Sequence, residues 1–567
     1  MAIPQNETKA QRVERLKREK NPWEALAEIR EFSRRGFASI PAEWLGTYFR
    51  WWGVYTQGDG AGVVAGKGGE GNALPYFMLR IRIANGILAS RQLRTIADLT
   101  ERYARGIADL TVRQNIQLHW VTIEVLPQIL EELWAVGLNT KGACGDVTRN
   151  VTGCPVAGID REEICDASPL ALAAERLLVA NADFYNLPRK FKISITGCRA
   201  WCAYPEINDI GLTAVTRNLA GKTETGFALR VGGGLSAEPH LAARLNAFVR
   251  WHQVEAVLRG IAELFRDSTS LREHRERARL KFLFLRQGWT AEHFQRELEQ
   301  RLGFRLDPSE PETLPDDVYR DHTGIHPQKQ PGLCYVGAAV LRGRITAQQM
   351  RAAAELSERF AGGDLRTTNM QNLLLVNVPQ LNTDELAKEL DGIGLKVGGS
   401  PFWRGAVACS GTEFCKLAIT ETKSFSRWLV EELEDRLPGF EQHLKLHVTG
   451  CPNSCGQHWI ADIGIEGKKL KVGDRLQDAY YFCLGGAVGL HQSIARPVGY
   501  RCLASEVPHA IERLLRRYLA TRFPAENLRR FFARHADAEL REFLAGELVD
   551  AVARDASPGR VPHGVEG

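Results

Sequence analysis

The feature that most narrows what this chain can fold into is a tandem duplication, the first thing to seek in a long sequence. Gly86–Gly106 reads GILASRQLRTIADLTERYARG and Gly343–Gly363 reads GRITAQQMRAAAELSERFAGG. At an offset of 257 residues, Gln92 matches Gln349, Arg94 matches Arg351, Leu99 matches Leu356, Arg102 matches Arg359 and Gly106 matches Gly363. Both copies carry the apolar spacing of an amphipathic helix. Each lies between strand-like runs, of which QLHWVTIEVL and NLLLVNV follow. A second pair, KISITGCRAWCAYPEINDIGL from Lys192 and KLHVTGCPNSCGQHWIADIGI from Lys445, is offset by 253 residues. The same offset pairs VGGG from Val231 with LGGA from Leu484, and the helical segments near Val254 and Val507. The repeated unit therefore has two parts, with copies over about 75–270 and 330–525. Alternating strands and helices within each copy imply an α+β architecture. LREHRERARLKF, followed by a Pro- and Asp-rich loop (Asp307–Asp317), reads as the connector.

Four cysteines distinguish the copies. Cys409 and Cys415 stand in ACSGTEFCK, and Cys451 and Cys455 in TGCPNSCGQ. Two tight loops bearing four soft thiolates can hold an iron–sulfur cluster. Zinc takes thiolates too, but its usual pairs are separated by two to four residues, so C-x5-C argues against zinc. The first copy repeats the C-x3-C as Cys198 and Cys202, whereas its Cys144 and Cys154 follow another spacing. Cys198 and Cys202 read as structural or vestigial, the alternative being a second cluster that uses Cys144 or Cys154.

Composition excludes several classes. The 44% apolar and 25% charged residues are those of an ordinary globular protein. A balance of 73 basic against 68 acidic residues is too even to suggest nucleic acid. The N-terminus lacks a signal-like apolar core, and no run approaches a membrane span. Twelve cysteines are too sparse for a disulfide scaffold, so thiols are free for metal in a cytoplasmic setting.

Cations concentrate in the first half, in LTVRQNIQLHW (Arg113), GACGDVTRNVTG (Arg149) and LPRKFKISITG (Arg189, Lys190, Lys192). Each alone reads as a solvated charge. Lys190 and Lys192, two apart at a strand start, face one side. Together they suit a small oxyanion or a polycarboxylate cofactor.

CSGTEFC, TGCPNSCG, TVRQN, RNVTGCPVAGID and LPRKFK, in this order, resemble the siroheme-dependent nitrite and sulfite reductases, in particular the monomeric ferredoxin-linked type. The resemblance runs from RWWGVYTQ (50–57) to about residue 525. It implies two ferredoxin-like half-repeats joined in one domain, plus two larger α+β domains with siroheme between them. On that reading, 1–72 is an N-terminal extension and 73–135 the first half-repeat. Residues 136–280 form the substrate-side domain, 281–329 the connector and 330–398 the second half-repeat. Residues 399–545 form the cluster domain and 546–567 a tail.

The resemblance also implies one [4Fe–4S] cluster on Cys409, Cys415, Cys451 and Cys455, with Cys455 bridging to the siroheme iron. Arg113, Arg149, Lys190 and Lys192 become the substrate-side cations. Gln114, Asn115, Gln117, Asn150, Arg366, Thr367, Thr368, Asn369 and Gln371 become expected cofactor contacts. Tyr55 and Cys144 either approach the macrocycle or pack, and form a pair to inspect for close contact or covalent modification. The implied reaction is a six-electron reduction of sulfite to sulfide or nitrite to ammonia. Lys192 stands where plant-type nitrite reductases typically have Asn, which favours dianionic sulfite, whereas RNVTGCPVAGID leans towards the nitrite branch. VGGGLS belongs to the duplicated unit rather than to a dinucleotide site. Electrons are then expected from reduced ferredoxin, or from a flavoprotein, and a monomer is expected. Two other classes, a siroheme-free iron–sulfur carrier and a non-enzymatic subunit, explain the cysteines or the fold but not the cations.

Overall fold

A computed structural model describes residues 7–58, 73–219, 221–311 and 320–546. The expected C-terminal tail and most of the Pro- and Asp-rich loop lie outside the described residues. Four five-stranded sheets organise the chain in two matching pairs. One sheet of the first pair orders β1 (Val54–Gly58), β2 (Ala73–Ile81), β5 (Ile116–Val121), β4 (Ile107–Leu110) and β13 (Arg344–Thr346). Its partner orders β11 (Gly324–Pro327), β12 (Leu333–Ala338), β15 (Leu373–Pro379), β14 (Asp364–Thr367) and β3 (Ile87–Ala89). These half-repeats exchange edge strands. β13 pairs antiparallel with β4, and β3 pairs antiparallel with β14.

The exchange explains why the two halves form one body. Their buried residues, with those of the N-terminal helices, make a single core. Helices Ser90–Tyr103 and Ala347–Phe360 pack on each other, each with a buried apolar stripe and a charged outer face. Across their contact, Arg94 pairs with Glu355 and Glu358, and Arg351 pairs with Asp98 and Glu101. This pseudo-twofold arrangement uses exposed ion pairs, so it sets register more than stability.

The two larger sheets are built alike. One orders β10 (Ala243–Arg250), β9 (Lys222–Val231), β8 (Ile210–Leu219), β7 (Ile193–Thr196) and β6 (Thr152–Gly153). The other orders β16 (Ala406–Ala408), β17 (Leu446–Thr449), β18 (Ile463–Val472), β19 (Arg475–Leu484) and β20 (Arg496–Leu503). In each, two short strands run parallel to a long third, which pairs antiparallel with the first of two further long strands. Each sheet has its own core, with helices Val254–Asp267 and Val507–Thr521 at matching places. The result is the expected α+β class.

Two segments do more than the sequence suggests. The N-terminal extension supplies β1 to the first sheet. The stretch read as a connector contains helices Lys281–Gln287 and Ala291–Leu302, whose Phe282, Leu283, Phe294 and Leu298 enter the core of the first large domain. Its high charge masked a half-apolar helical face. No helix among the described residues is long and apolar enough to cross a membrane.

Candidate siroheme and iron–sulfur site

Two glutamines latch the paired half-repeats to the large domains. Gln114 donates to Gly153 O and Thr367 O and accepts from the Gly153 N–H. Its counterpart Gln371 donates to Leu110 O and Ala408 O and accepts from the Ala408 N–H. Both have left-handed φ, 59° and 61°. Asn115 and Asn372 follow the same symmetry, accepting from the Ile83 and Val340 amides. Thr367 donates to Gln114 O, and Thr368 accepts from the Met370 and Asn372 amides. These side chains hold backbone. Gln117 meets Arg80 and Ser410, while Arg366 is half-buried and donates to Leu365 O. Asn150 donates to Ile83 O and Arg113 O, leaving its carbonyl oxygen buried without a partner, as is that of Asn369.

Three short segments bring the cations together. Arg113, in the turn between β4 and β5, donates to Asn208 Oδ1 and Asn150 O, both at 2.7 Å, and its Nε is buried without a partner. Arg149 donates to Gly145 O at 2.9 Å and Ala143 O at 3.2 Å. Lys190 and Lys192 lead into β7, and neither ammonium has a salt-bridge or hydrogen-bond partner among the described residues. Burial pushes Lys190 down to about 7, with Arg279, Arg189 and Arg149 adding repulsion. Burial and the Arg149 charge take Arg113 down to about 9. Lys192 falls well below its ordinary value, through burial and then the charges of Arg113 and Lys190. So dense a set of unneutralised cations is a receptor for anions.

The state of Lys192 depends on two residues the sequence reading missed. Asp209 accepts from the Lys192 backbone N–H at 2.8 Å, but its carboxylate is taken by Arg279, at 2.8 Å. In the second copy Asp462 likewise accepts from the Lys445 N–H, and there it also pairs with the Lys445 ammonium at 3.0 Å. The aligned motifs INDIGL and IADIGI carried the aspartates in plain view. Nothing local marked Arg279, which arrives from the charged connector.

The cysteine quartet sits where β16, β17 and their loops end. Cys409 accepts from the Gly450 N–H at 3.2 Å, and Cys451 from the Asn453 side-chain amide at 3.6 Å. Burial and then the neighbouring Cys455 sulfur raise the Cys415 thiol to about 12. Burial also raises Cys451, with added repulsion from Cys455, Cys409 and Cys415. Four mutually repelling sulfurs ringed by N–H donors require a cation-rich centre, and the donor set fits a [4Fe–4S] cluster. Gly456 is obligatory here, because a Cβ would lie 2.4 Å from Val448 O. Cys455 is exposed, and the Lys190 ammonium feels its charge. The cluster-side cysteine and the first-half cations therefore face one cleft. Unneutralised cations around that cleft also fit the carboxylates of siroheme.

Tyr55 and Cys144 meet at the edge of this cation group. Arg80 donates to the Tyr55 hydroxyl at 3.2 Å. Although burial opposes it, Arg149, Arg50 and Arg80 hold the Cys144 thiol below its ordinary value, and Tyr55 hydrogen-bonds to it. Cys154 lies elsewhere, buried with Cys198 and Cys202.

Such a fold and site define a siroheme- and cluster-dependent oxidoreductase. The model of the "nitrite and sulphite reductase 4Fe-4S domain" matches residues 144–306 and 399–548, and that of the "nitrite/sulfite reductase ferredoxin-like half domain" matches 71–136 and 326–393. The chain belongs to the nitrite and sulfite reductase family, whose cofactors are a [4Fe–4S] cluster and siroheme. It is 37% identical to an assimilatory ferredoxin-dependent nitrite reductase of Haloferax mediterranei, over 94% of this chain and 91% of the relative. It is 35% identical to a sulfite reductase [ferredoxin] of Mycobacterium tuberculosis, over 93% and 95%. The solved structure of Mycobacterium tuberculosis NirA protein superposes with a TM-score of 0.88 at 34% identity, covering 93% of this chain and 97% of that one.

Proposed function

We propose that this chain is a ferredoxin-dependent sulfite reductase that converts sulfite to sulfide. The observation that carries the choice of substrate is the Lys192 amine, buried without a salt-bridge or hydrogen-bond partner among the described residues, beside Arg113 and Lys190. Burial and those cations disfavour its charge until an anion binds, and a dianion draws a proton onto it more strongly than a monoanion does. When bound, siroheme and the cluster would relay the six electrons that reduced ferredoxin supplies. Cys409, Cys415, Cys451 and Cys455 would hold the cluster. Arg113, Arg149 and Lys192 bind the oxyanion and offset developing negative charge, a strong catalytic effect when preorganised. Lys190 holds a transferable proton at Nζ, since a group near 7 both gains and gives a proton at neutral pH. Bound sulfite raises its affinity for that proton, and departing oxygen takes it up. Gln114 and Gln371 position the large domains, and the buried carbonyls of Asn150 and Asn369 are free to accept from the cofactor or its waters.

We read the enzyme as a cytoplasmic monomer, with the small basic surplus suited to an acidic ferredoxin rather than a flavoprotein. Nitrite is the second reading, favoured by the 37% identity to a relative named as a nitrite reductase. Steady-state turnover of both substrates with reduced ferredoxin decides between them. Sulfite should show the larger kcat/KM. A tenfold or greater preference for nitrite overturns the assignment.

A further inference from the structure

The first large domain contains a second sulfur-rich site, independent of the catalytic reading. Strand register shows what it is. β6 pairs with β7 as β16 pairs with β17, with Thr152 opposite Ser194 and Val407 opposite His447. Cys154 therefore occupies the place of Cys409. The 253-residue offset makes Cys198 the counterpart of Cys451 and Cys202 that of Cys455. The first copy keeps three of the four cluster positions and lacks only the place of Cys415.

The fourth position is filled from elsewhere. His322, just before β11, reaches Cys154 and Cys202 from the side of the second half-repeat. Ligand atoms of Cys154, Cys202 and His322 all lie within 4.8 Å of one another. His322 is 4% exposed, and its Nε2 is buried without a hydrogen-bond partner. Its Nδ1 lies 3.3 Å from the Tyr335 hydroxyl. An Nδ1–H donating to that hydroxyl would leave the Nε2 lone pair for a metal, the usual way an outer partner orients a ligating imidazole. Cys198 Sγ accepts from the Cys202 N–H at 3.4 Å and lies 3.2 Å from Thr196 Oγ1. The thiolate-rich set has Arg320 within electrostatic reach of Cys198 and Cys202. His322 itself is held at φ 61°, a costly conformation for a non-glycine residue away from a functional constraint.

Size decides the occupant. A tetrahedral zinc ion with bonds of about 2.3 Å to sulfur places its ligands roughly 3.8 Å apart. Cys154, Cys202 and His322 meet that scale, and Cys198 stands outside the 4.8 Å group but against Cys202, its Sγ 3.4 Å from the Cys202 N–H. The Cys409, Cys415, Cys451 and Cys455 quartet is wider, since no three of its sulfurs meet the 4.8 Å limit. The C-x3-C of Cys198 and Cys202 also falls within the usual zinc spacing.

We propose that Cys154, Cys198, Cys202 and His322 bind one structural zinc ion that staples the first large domain to the second half-repeat. Holoenzyme from zinc-supplied cells should contain one zinc per chain beside its iron. Zinc-edge X-ray absorption, blind to iron, should show three sulfurs near about 2.3 Å and one nitrogen near about 2.0–2.1 Å. Cys154→Ser, Cys202→Ser and His322→Ala should each cut zinc to roughly a tenth or less, with iron per chain unchanged. If these variants do not fold, the absorption spectrum of the wild type still decides. Less than about a tenth of a zinc per chain, or an oxygen-dominated shell, overturns the proposal. So does iron loss from Cys154→Ser equal to that from Cys409→Ser, which marks a second cluster. Two thiols resistant to alkylation until reduced, marking a disulfide, overturn it as well.

Discussion

Lys192 and Lys445 occupy one position in two copies of one fold, each donating its backbone N–H to an aspartate at 2.8 Å. In the second copy the ammonium pairs with that aspartate. In the first, Arg279 takes Asp209 and leaves the lysine among other cations. The cysteines diverge in the opposite sense. The second copy exposes Cys455, whereas the first buries Cys154, Cys198 and Cys202 and sets two of them beside His322. The comparison teaches that duplication freed each half to keep one task. One half concentrates charge, the other electron transfer, and both tasks are set by which partner reaches a shared position.

The largest break should come from the cysteines. Cys451→Ser should remove the cluster and abolish sulfite turnover, a fall of at least about 10³-fold in kcat, as when an essential group is lost. Cys202→Ser, at the equivalent place of Cys455, should leave the iron count intact by metal analysis. Next, Lys190→Gln should lower kcat by about 10²-fold, the scale of a lost proton donor. The protonated amine is the donor, so the lysine-dependent rate should fall as pH rises through about 7. Lys190→Arg stays charged and should flatten that limb in a pH–rate profile.

The two lysines then separate function from stability. Lys192→Asn should lower sulfite kcat/KM more than nitrite kcat/KM, and equal losses would remove it as the discriminator. Lys445→Asn should leave that substrate ratio alone yet cost roughly 3 kcat-independent kcal/mol in denaturant unfolding, because Asp462 loses its buried partner. The smallest effects belong to the latches. Gln114→Ala and Gln371→Ala should each cost about 1–3 kcal/mol by leaving the same backbone groups unsatisfied. A marked inequality between them would argue against the pseudo-twofold reading.

The α+β class, the duplication and the cluster cysteines were legible because each rests on local spacing. Lys190 and Lys192 were legible as neighbours two apart, although both stand just before β7 rather than in it. What made Lys192 distinctive was not, since Arg279 lies 70 residues beyond Asp209. Gln114 and Gln371 looked like cofactor contacts because polar residues in shared motifs suggest ligands, yet their amides complete backbone bonds between domains. His322 escaped notice for the same reason as Arg279. A histidine without a patterned neighbour gives no signal until the chain returns it to cysteines from the other copy.

The exchanged strands bear on how the protein is made. β4 leaves the ribosome long before β13, its edge partner, and Arg344 binds Asp109 across 235 residues of sequence. At roughly 5–20 residues per second, that interval lasts about ten to fifty seconds. Throughout it, the nascent first half has an unpaired sheet edge and an unfinished core. The half-repeats complete their shared core only together, and the cleft for the cofactors comes into being only after translation is well past its midpoint.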